Sequence, residues 1–553
     1  MGPNLYHARH GAVLEVAVEP TQAQALARRW SVAARQLLDA LGWVSEAVVT
    51  RAWPGGLGLF VTAPVDGLLA ATEVTEQALA LVELGDAPPD HDLLARLRVH
   101  IQHERRSALA HLAEGAQARG LAFTFDDECV AVGAGTGSQR WELATLASAP
   151  GPDWSARHNV PTALVTGSNG KTTTTRLIAA MCRDAGWATG HTCTDGVWIG
   201  EAQVEEGDWS GPAGARRVLQ DLAVGAAVLE TARGGILRRG LGVNVADVAV
   251  VTRIAADHFG EYGIYDMLSL GEAKLTVRRA LRPGAPLILN ADDDTLVALS
   301  RTVDVPVWWF SLDPANPVLR QAALAGGVVA TVEGDDLVLA AAGATHLSVP
   351  LRAVPILLGG KARHNVANAL AAILGAFALR VPPDTILVTL RRFGSSPQDN
   401  PGRLQVRDVG GATAIVDFVH NPDGWRAMLD VAHALQGEGR LIVTLGQAGD
   451  RDDADLDDMA RVVWAARPDL IVLKEMEAYL RGRPYGQVTE RLEAALRDAG
   501  ATNDFLQHAP DEPAASRLAL QAARPGDVVV IASHANYDEV MAMVDRAASG
   551  AAP

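Results

Sequence analysis

The stretch TGSNGKTTTT, from Thr166 to Thr175, decides the fold of this chain. Residues 162–166 (TALVT) have the pattern of a short buried strand, and residues 173–185 have the pattern of a helix. A glycine-containing turn from a strand into a helix points its backbone N–H groups at an anion. Lys171 adds a compact positive charge, and the Thr172 hydroxyl is suited to hold Mg²⁺. The stretch therefore predicts a nucleotide phosphate site.

The spacing of this loop is tighter than that of the general P-loop, because only Ser168 and Asn169 separate Gly167 from Gly170. The N–H groups from Gly167 to Lys171 are expected to face the phosphates. The predicted nucleotide-binding residues of the loop are Thr166, Gly167, Ser168, Asn169, Gly170, Lys171, Thr172 and Thr173.

Lysine is rare in this chain, and one of the few lysines lies in the loop. Of the 48 basic residues, 44 are arginine, and the four lysines are Lys171, Lys274, Lys361 and Lys474. A phosphate site favours a compact ammonium over a planar guanidinium. The retention of Lys171 therefore supports the phosphate prediction.

The length and composition of the chain limit the functional classes to which the protein can belong. A length of 553 residues predicts roughly three or four domains. The net charge of −17 argues against binding to nucleic acid or to an anionic membrane. No apolar run approaches the ~18 residues needed to span a bilayer, and the start MGPNLYHARHG has no secretory h-region. The three cysteines, an odd number, favour a reducing compartment. We therefore expect a cytoplasmic protein.

Three regions differ in pattern. Residues 1–157 combine strands at 12–18 and 57–62 with helices at 21–41 and 90–119, which predicts an α+β domain ending in a linker at 149–159. Residues 158–396 alternate short apolar strands with helices, which predicts a parallel sheet covered on both faces. Residues 397–553, after a linker at 394–402, predict a further Rossmann-like α/β domain. The predicted strands of the last two regions are 162–166, 226–230, 248–253, 286–290, 413–417, 441–445, 470–474 and 528–532.

Polar residues follow several of the central strands, where ligands bind in doubly wound sheets. Glu230 ends one strand, and Asp257-His258 follows the next. Glu230 and His258 are therefore predicted to converge on a Mg²⁺ ion beside Thr172. Lys274, in the helical pattern GEAKLTVRRAL, lies between His258 and the strand that ends in NADD, and is a further candidate catalytic residue.

This series of motifs resembles the Mur ligases. TGSNGKTT, the Glu230 strand end, the Asp257-His258 pair, Ala273-Lys274, NADD, then HNVANAL (364–370) and DFVHNP (417–422) occur in the order of that family. The segments TTTTRLIA, TDGVWIG, LETARGGILRRGLG and RGRPYG resemble the Mur-ligase half of the cyanophycin synthetase family. The resemblance covers residues 158–553. Residues 2–18 and 126–140 resemble parts of the amino-terminal half of that family, whose ATP-grasp domain has no room here.

The resemblance implies an ATP- and Mg²⁺-dependent reaction through an acyl phosphate. By that analogy Lys171 holds the β- and γ-phosphates, Thr172 and Glu230 bind one Mg²⁺, and His258 binds a second metal. Lys274 matches a lysine that several Mur ligases carry as a carbamate. The residues implied to contact adenine, ribose and phosphate are His364, Asn365, Asn368, Arg403 and Asp417.

The resemblance also implies substrate residues. Asp195 and Asp208 match the acceptor side, and Arg233 and Arg238 are suited to clamp carboxylates. The incoming amino acid is expected near the C-terminal domain. The candidate residues there are Asp450, Lys474, Arg481 and Arg483.

The leading hypothesis is an ATP-dependent ligase that joins an amino acid to a carboxylate of an amino acid or short peptide, as a homo-oligomer (dimer or tetramer). A folylpolyglutamate-synthetase-like ligase is one alternative. A non-catalytic nucleotide-binding subunit of a larger assembly is another. The N-terminal domain is predicted to mediate assembly or acceptor docking.

Overall fold

The structure is a computed structural model that describes residues 2–256 and 259–550. Within these residues the central sheet has eleven strands. In spatial order they are Ala202–Glu206, Gly196–Ile199, Thr189–Cys193, Ala226–Glu230, Thr162–Thr166, Val248–Val251, Leu287–Asn290, Val307–Ser311, Val329–Glu333, Asp336–Ala341 and Ala344–Pro350.

The seven inner strands, from Thr189–Cys193 to Val329–Glu333, are parallel, as the sequence predicts. Both edges of the sheet are antiparallel, which the alternation of apolar strands and helices does not predict. The reason is the length of the connections, because two-residue turns can join only antiparallel strands. Gly200 (φ 62°) and Gly343 (φ 78°) supply the left-handed backbone that such turns need.

Helices cover both faces of this sheet, because its inner strands are apolar on both sides. Val250 packs into the core on one face with Ile178, and its neighbour Val251 packs into the core on the other face with Leu164. Burial of each such side chain stabilises the fold by about 1.5–3 kcal/mol. The helices are Lys171–Asp184, Pro212–Leu219, Arg233–Arg239, Met267–Leu275, Asp294–Ser300, Pro317–Leu324, Arg363–Ala378 and Pro383–Arg392.

The C-terminal domain is a second α/β unit, with six strands among the described residues. Their spatial order is Gln405–Val409, Ala412–Asp417, Val528–Ala532, Leu441–Leu445, Leu470–Lys474 and Leu506–Ala509. Only the first of these pairs is antiparallel. The helices are Pro422–Leu435, Asp453–Ala465, Gln487–Asp498, Glu512–Ala522 and Tyr537–Ala548. The α/β class predicted for both regions is confirmed.

The N-terminal domain is α+β, as predicted, with two three-stranded antiparallel sheets in its described part. The sheets contain Gly11–Ala17, Gly56–Thr62 and Val48–Trp53, then Phe123–Phe125, Cys129–Val132 and Gln139–Glu142. The helices are Pro20–Ala40, Leu68–Glu83, His91–Glu104 and Ser107–Gln117. The predicted helical stretch 90–119 is broken near Arg106, whose N–H donates to Asp66 Oδ2 at 3.0 Å instead of to a helical carbonyl.

The N-terminal domain lies directly against the central domain. Leu241 N–H donates to Pro3 O at 2.8 Å, and Phe123 N–H donates to Asn244 Oδ1 at 2.9 Å. The last N-terminal strand ends at Glu142 and the first central strand begins at Thr162, so the boundary at 157/158 falls between elements but stays a prediction. None of the helices in the described residues is long and apolar enough to cross a membrane.

Candidate active site

A cavity of about 1620 Å³ lies between the carboxyl ends of the central strands and the C-terminal domain. Residues 168–173 of the glycine-rich loop line it, and so do Glu230, Lys274 and Asp417. Most of the polar residues predicted from the sequence therefore meet in one place, as expected for the carboxyl edge of a parallel sheet.

The glycine-rich loop has a shape that only glycine permits at its last turn. Gly170 has φ 84°, and a Cβ atom there would lie 2.1 Å from Asn368 Oδ1. Thr252 Oγ1 donates to Asn169 O at 2.6 Å, and Ser168 Oγ donates to Ala255 O at 2.9 Å. Because the segment that follows strand Val248–Val251 holds the loop through both contacts, its N–H groups are arranged before any ligand binds.

Two lysines approach this loop. Lys171 Nζ donates to Ser168 O at 3.2 Å from a half-buried position that lines the cavity. Lys274 is 3% exposed, and its Nζ donates to Gly167 O at 3.0 Å. Lys274 is thus a buried part of the site and not a solvated lysine of its helix.

The predicted metal ligands Thr172 and Glu230 are in contact. Thr172 Oγ1 donates to Glu230 Oε2 at 2.9 Å, and Glu230 is 2% exposed. Its second oxygen, Oε1, has no hydrogen-bond partner among the described residues. Burial raises the pKa of Glu230, while Lys171 and the Thr172 hydrogen bond lower it. A buried carboxylate oxygen without a donor suits a hard cation such as Mg²⁺.

The third predicted ligand, His258, lies outside the described residues. Within residues 2–256 and 259–550, no group of three or more His, Cys, Asp or Glu residues is arranged to hold a metal ion. Mg²⁺ at nucleotide sites usually completes its coordination with phosphate and water oxygens.

The C-terminal domain contributes Arg403 and Asp417 to the same cavity. Arg403 Nη2 donates to Thr194 Oγ1 at 3.1 Å, and its guanidinium carbon lies 4.6 Å from the centre of the Phe418 ring. Burial raises the pKa of Asp417 to about 6, although Arg403 and the hydrogen bond from Leu404 N–H oppose that shift. Arg403 thus reaches toward the glycine-rich loop from the facing domain.

The residues predicted to contact adenine, with their neighbour His364, line the same cavity. Asn368 Nδ2 donates to Asn365 Oδ1 at 3.1 Å, and Asn365 Nδ2 donates to Ile356 O at 3.2 Å. Burial lowers the pKa of His364 to about 4, so its ring is neutral near pH 7. The His364 Nδ1 atom has no hydrogen-bond partner within the described part of the chain.

A set of contacts between domains was not predicted from the sequence. Asn169 of the loop exchanges hydrogen bonds with Asn421, at 3.2 and 3.0 Å, and donates to Asp423 Oδ2 at 2.9 Å. Arg253 pairs with Asp423 at 2.9 Å, and Arg176 donates to Pro401 O at 2.8 Å. These partners are more than 140 positions apart in the chain, so sequence spacing gave no signal for them.

Four predicted acceptor residues line the cavity. Asp195 pairs with Arg176, and Asp208 accepts hydrogen bonds from Ser210 N–H at 3.0 Å and from Ser210 Oγ at 2.6 Å. Arg233 pairs with Glu261 at 2.9 Å, and Arg238 Nε donates to Tyr262 Oη at 3.1 Å. The loop at 259–264 therefore holds both arginines.

The candidates for the incoming amino acid divide into two groups. Asp450 and Arg481 pair with each other and line the cavity. Arg483 does not line it, because its side chain donates to Gly449 O at 3.0 Å and to Asp453 Oδ1 at 2.8 Å.

Lys474 also does not line the cavity, although it lies behind His534, which does. Its side chain is 0% exposed and pairs with Glu512 at 2.5 Å, and burial lowers its pKa. Neither Lys474 nor Arg483 therefore lines the cavity, and their assignment to the substrate stays a prediction. His420, Arg426, Gln447 and Arg451 do line the cavity. His420 belongs to the DFVHNP motif and Arg451 to the segment 449–452 expected near the incoming amino acid, whereas Arg426 and Gln447 were not predicted.

With this geometry in view, comparison with known families gives a consistent result. Residues 165–376 match the Mur ligase middle domain, and residues 402–535 match the Mur ligase, glutamate ligase domain. UDP-N-acetylmuramoyl-L-alanyl-D-glutamate–2,6-diaminopimelate ligase of Gloeobacter violaceus is 30% identical over 386 residues, which cover 68% of this chain and 72% of that protein. The chain belongs to the Mur ligase family.

Within that family, cyanophycin synthetases show higher identity. The enzyme of Trichormus variabilis is 37% identical over 364 residues, which cover 64% of this chain and 40% of that protein. The chain therefore spans well under half the length of these curated relatives. The resemblance predicted from the motifs is confirmed.

A solved structure supports the fold. E. coli FolC in complex with DHPP and ADP aligns with a TM-score of 0.50 and 21% identity, covering 70% of this chain and 88% of that one.

Proposed function

We propose that this chain is an ATP-dependent ligase that forms an amide bond between an amino acid and a carboxylate of an amino acid or short peptide. One observation supports the proposal most directly. Lys171, Thr172 and Glu230 of the central domain line the same cavity as Arg403 and Asp417 of the C-terminal domain. The names of the relatives, a synthetase and a ligase, agree with it.

The proposed reaction has two steps. An oxygen of the acceptor carboxylate attacks the γ-phosphorus of ATP, the bond from that phosphorus to the bridging oxygen breaks, and ADP leaves. The amine nitrogen then attacks the acyl carbon, inorganic phosphate leaves with the electron pair of the C–O bond, and the nitrogen releases a proton. Both steps depend mainly on orientation and charge stabilisation, which is what this site offers.

The chain's own residues would divide this work between the domains. Lys171 and the N–H groups of the glycine-rich loop would stabilise phosphate charge from the central domain. Arg403 would do so from the C-terminal domain, because its guanidinium already reaches Thr194 beside the loop. The contacts of Asn169 with Asn421 and Asp423 would keep the two sides together during turnover.

Thr172 and Glu230 fit Mg²⁺, since Glu230 Oε1 is buried and has no donor among the residues that the structure describes. When bound, Mg²⁺ supplies charge neutralisation at the phosphates. A second metal at His258 and a carbamate on Lys274 stay predictions. The hydrogen bond from Lys274 to Gly167 O gives that lysine a role in holding the loop whether or not it is modified.

Acceptor and amine would enter from different ends of the cavity. Arg233 and Arg238 lie after the Glu230 strand and offer two guanidinium groups to an acceptor carboxylate. Asp450 and Arg481 lie in the C-terminal domain and offer one charge of each sign. Opposite charges suit the zwitterion of a free amino acid.

The proposal is tested by ADP release in the presence of ATP and Mg²⁺ against a matrix of carboxylates and amines. The carboxylates are aspartate, aspartyl peptides, glutamate and other dicarboxylates, and the amines are arginine, lysine, ornithine and small amino acids. Mass spectrometry identifies each product. We expect ADP release only where both substrates are present, together with a product whose mass corresponds to loss of one water.

Two other outcomes contradict the proposal in different ways. Nucleotide binding without turnover in every pair would favour a non-catalytic nucleotide-binding subunit. Absence of nucleotide binding would remove the phosphate-loop assignment itself.

A further inference from the structure

The loop at residues 259–264 lies between the N-terminal domain and the two arginines of the acceptor end. On one side, Glu261 pairs with Arg233, and Tyr262 Oη accepts from Arg238. On the other side, Arg51 Nη1 donates to Gly263 O at 3.2 Å. The loop thus connects a strand of the N-terminal domain to side chains that line the cavity.

The packing at Gly263 is close. Gly263 has φ 69°, and a Cβ atom there would lie 2.6 Å from Trp53 Cδ2 and 2.7 Å from Arg51 Nη1. Both partners belong to strand Val48–Trp53, whose position is set by the three-stranded sheet of the N-terminal domain. The contact therefore joins a rigid element to the loop.

The loop needs such support, because its own structure is small. It is a single tight turn, in which Gly260 N–H donates to Ile264 O at 2.8 Å and Ile264 N–H donates to Glu261 O at 3.0 Å. Tyr262 also has a positive φ of 53°, which is unfavourable for a tyrosine. Surrounding contacts must hold this conformation.

The same strand reaches the helix of Lys274. Arg51 lies 3.9 Å from Glu272, two positions before Lys274, and only 18% of the Arg51 side chain is exposed. Arg51 therefore contacts the loop through a hydrogen bond and the helix through a longer ion pair with a half-exposed carboxylate, so the loop carbonyl is its stronger contact.

We propose that Arg51 and Trp53 are positioning residues that hold the 259–264 loop against Arg233 and Arg238 and so define the acceptor end of the cavity. This inference rests on the proposed ligase function only where it assigns this end of the cavity to the acceptor substrate. Its structural part, the support of the loop, is independent of the reaction. The N-terminal domain, which precedes the part of the chain matched by the Mur ligase domains, thereby has a role in substrate binding.

The structural part is tested by hydrogen–deuterium exchange on the full chain. Arg51→Ala should accelerate exchange of the Gly260 and Ile264 amides about 10-fold, because loss of one hydrogen bond shifts a local opening equilibrium by about that factor. Gly263→Ala should do the same by displacing Trp53. Arg98→Ala is the matched control, since Arg98 is exposed in the same domain and donates to Ala40 O. Unchanged exchange in both variants would overturn the inference.

The role of the loop in acceptor binding is tested by kinetics, with the pair of carboxylate and amine that gives the highest wild-type turnover among those named for the ADP-release assay. Arg51→Ala should raise KM for the carboxylate about 5–10-fold while KM for ATP stays within about 2-fold, and Arg51→Lys should restore part of the loss. Equal increases in both KM values, with a lowered Tm, would show a merely structural role and overturn the positioning assignment. If wild type itself forms no amide, the proposed function fails, and the exchange experiment still decides whether the loop is supported.

Discussion

Thr172 Oγ1 donates a hydrogen bond of 2.9 Å to Glu230 Oε2, although the two residues are 58 positions apart. The contact arises because strands Thr162–Thr166 and Ala226–Glu230 are parallel neighbours, with Glu230 opposite Val165. The first turn of helix Lys171–Asp184, which follows strand Thr162–Thr166, therefore meets the last residue of the neighbouring strand Ala226–Glu230. This arrangement places a hydroxyl and a carboxylate where a phosphate-bound cation would lie.

Glu230→Gln should separate stability from function. Burial raises the pKa of Glu230, so its charge destabilises the folded state, and the neutral amide should leave Tm unchanged or higher. The same change removes the charged metal ligand, so Mg²⁺-dependent nucleotide affinity should fall at least about 10-fold. Differential scanning fluorimetry and nucleotide titrations with and without Mg²⁺ measure the two effects. A large loss of Tm together with unchanged affinity would contradict the assignment.

Lys171→Ala should reduce ATP turnover roughly 10²-fold or more, because the site loses a charge that stabilises the transferring phosphate. Tm should change little, since the hydrogen bond of Lys171 within the described part of the chain is one contact with a loop carbonyl at 3.2 Å. Lys361→Ala is the control, because Lys361 is exposed. ADP release measures both variants; turnover near wild type in Lys171→Ala would refute the phosphate-loop assignment.

Asp417 should give nucleotide binding a pH dependence. Burial raises its pKa from 3.8 to about 6, so the carboxylate is formed only as the pH rises through about 6. Nucleotide affinity of wild type should therefore rise between pH 5 and 7 by roughly 10-fold. Isothermal titration at constant ionic strength measures it, and the same profile should be flat in Asp417→Asn.

The raised pKa of Asp417 should also make the stability of the fold depend on pH, in the direction opposite to that of nucleotide affinity. The pKa of Asp417 is higher in the folded than in the unfolded state, so the protonated carboxyl group favours the folded state. This contribution is complete below about pH 4 and is lost as the pH rises through about 6. Asp417→Asn should thus raise Tm at pH 7–8 while it weakens nucleotide binding. A lower Tm in the variant would show that the ionised carboxylate stabilises the fold.

Lys274→Ala should lower activity by loosening the loop, since Lys274 Nζ donates to Gly167 O at 3.0 Å. If a carbamate forms on Lys274, short-chain carboxylates should restore part of the activity, and ¹³C NMR in ¹³C-bicarbonate should show a protein-bound carbamate signal. Absence of the signal and of rescue would remove the carbamate and leave the loop contact as the role of this lysine.

Much of the sheet was predictable, because buried parallel strands are short apolar runs. Leu441–Leu445, Leu470–Lys474 and Val528–Ala532 have the bounds expected from the sequence. The edge hairpin Gly196–Ile199 and Ala202–Glu206 was not predicted, because edge strands are half exposed and lack such runs.

The site divides in the same way. Lys171, Thr172 and Glu230 were predicted because they lie at or just after the ends of apolar strands, which are recognisable in the sequence. Lys474 was assigned to the substrate, yet its position is explained by Glu512, 38 residues further along, which no local pattern connects to it. Residues that meet only through tertiary packing, such as Asn169 and Asp423, leave no trace in spacing.

The central claim, amide formation through an acyl phosphate, is tested most directly with an acceptor whose carboxylate is labelled with ¹⁸O. In the proposed reaction one carboxylate oxygen becomes the bridging oxygen of the acyl phosphate and leaves with the phosphate. Mass spectrometry should therefore find one ¹⁸O atom in inorganic phosphate for each amide formed. Amide formation with unlabelled phosphate, or ATP hydrolysis without an amide product, would contradict the account.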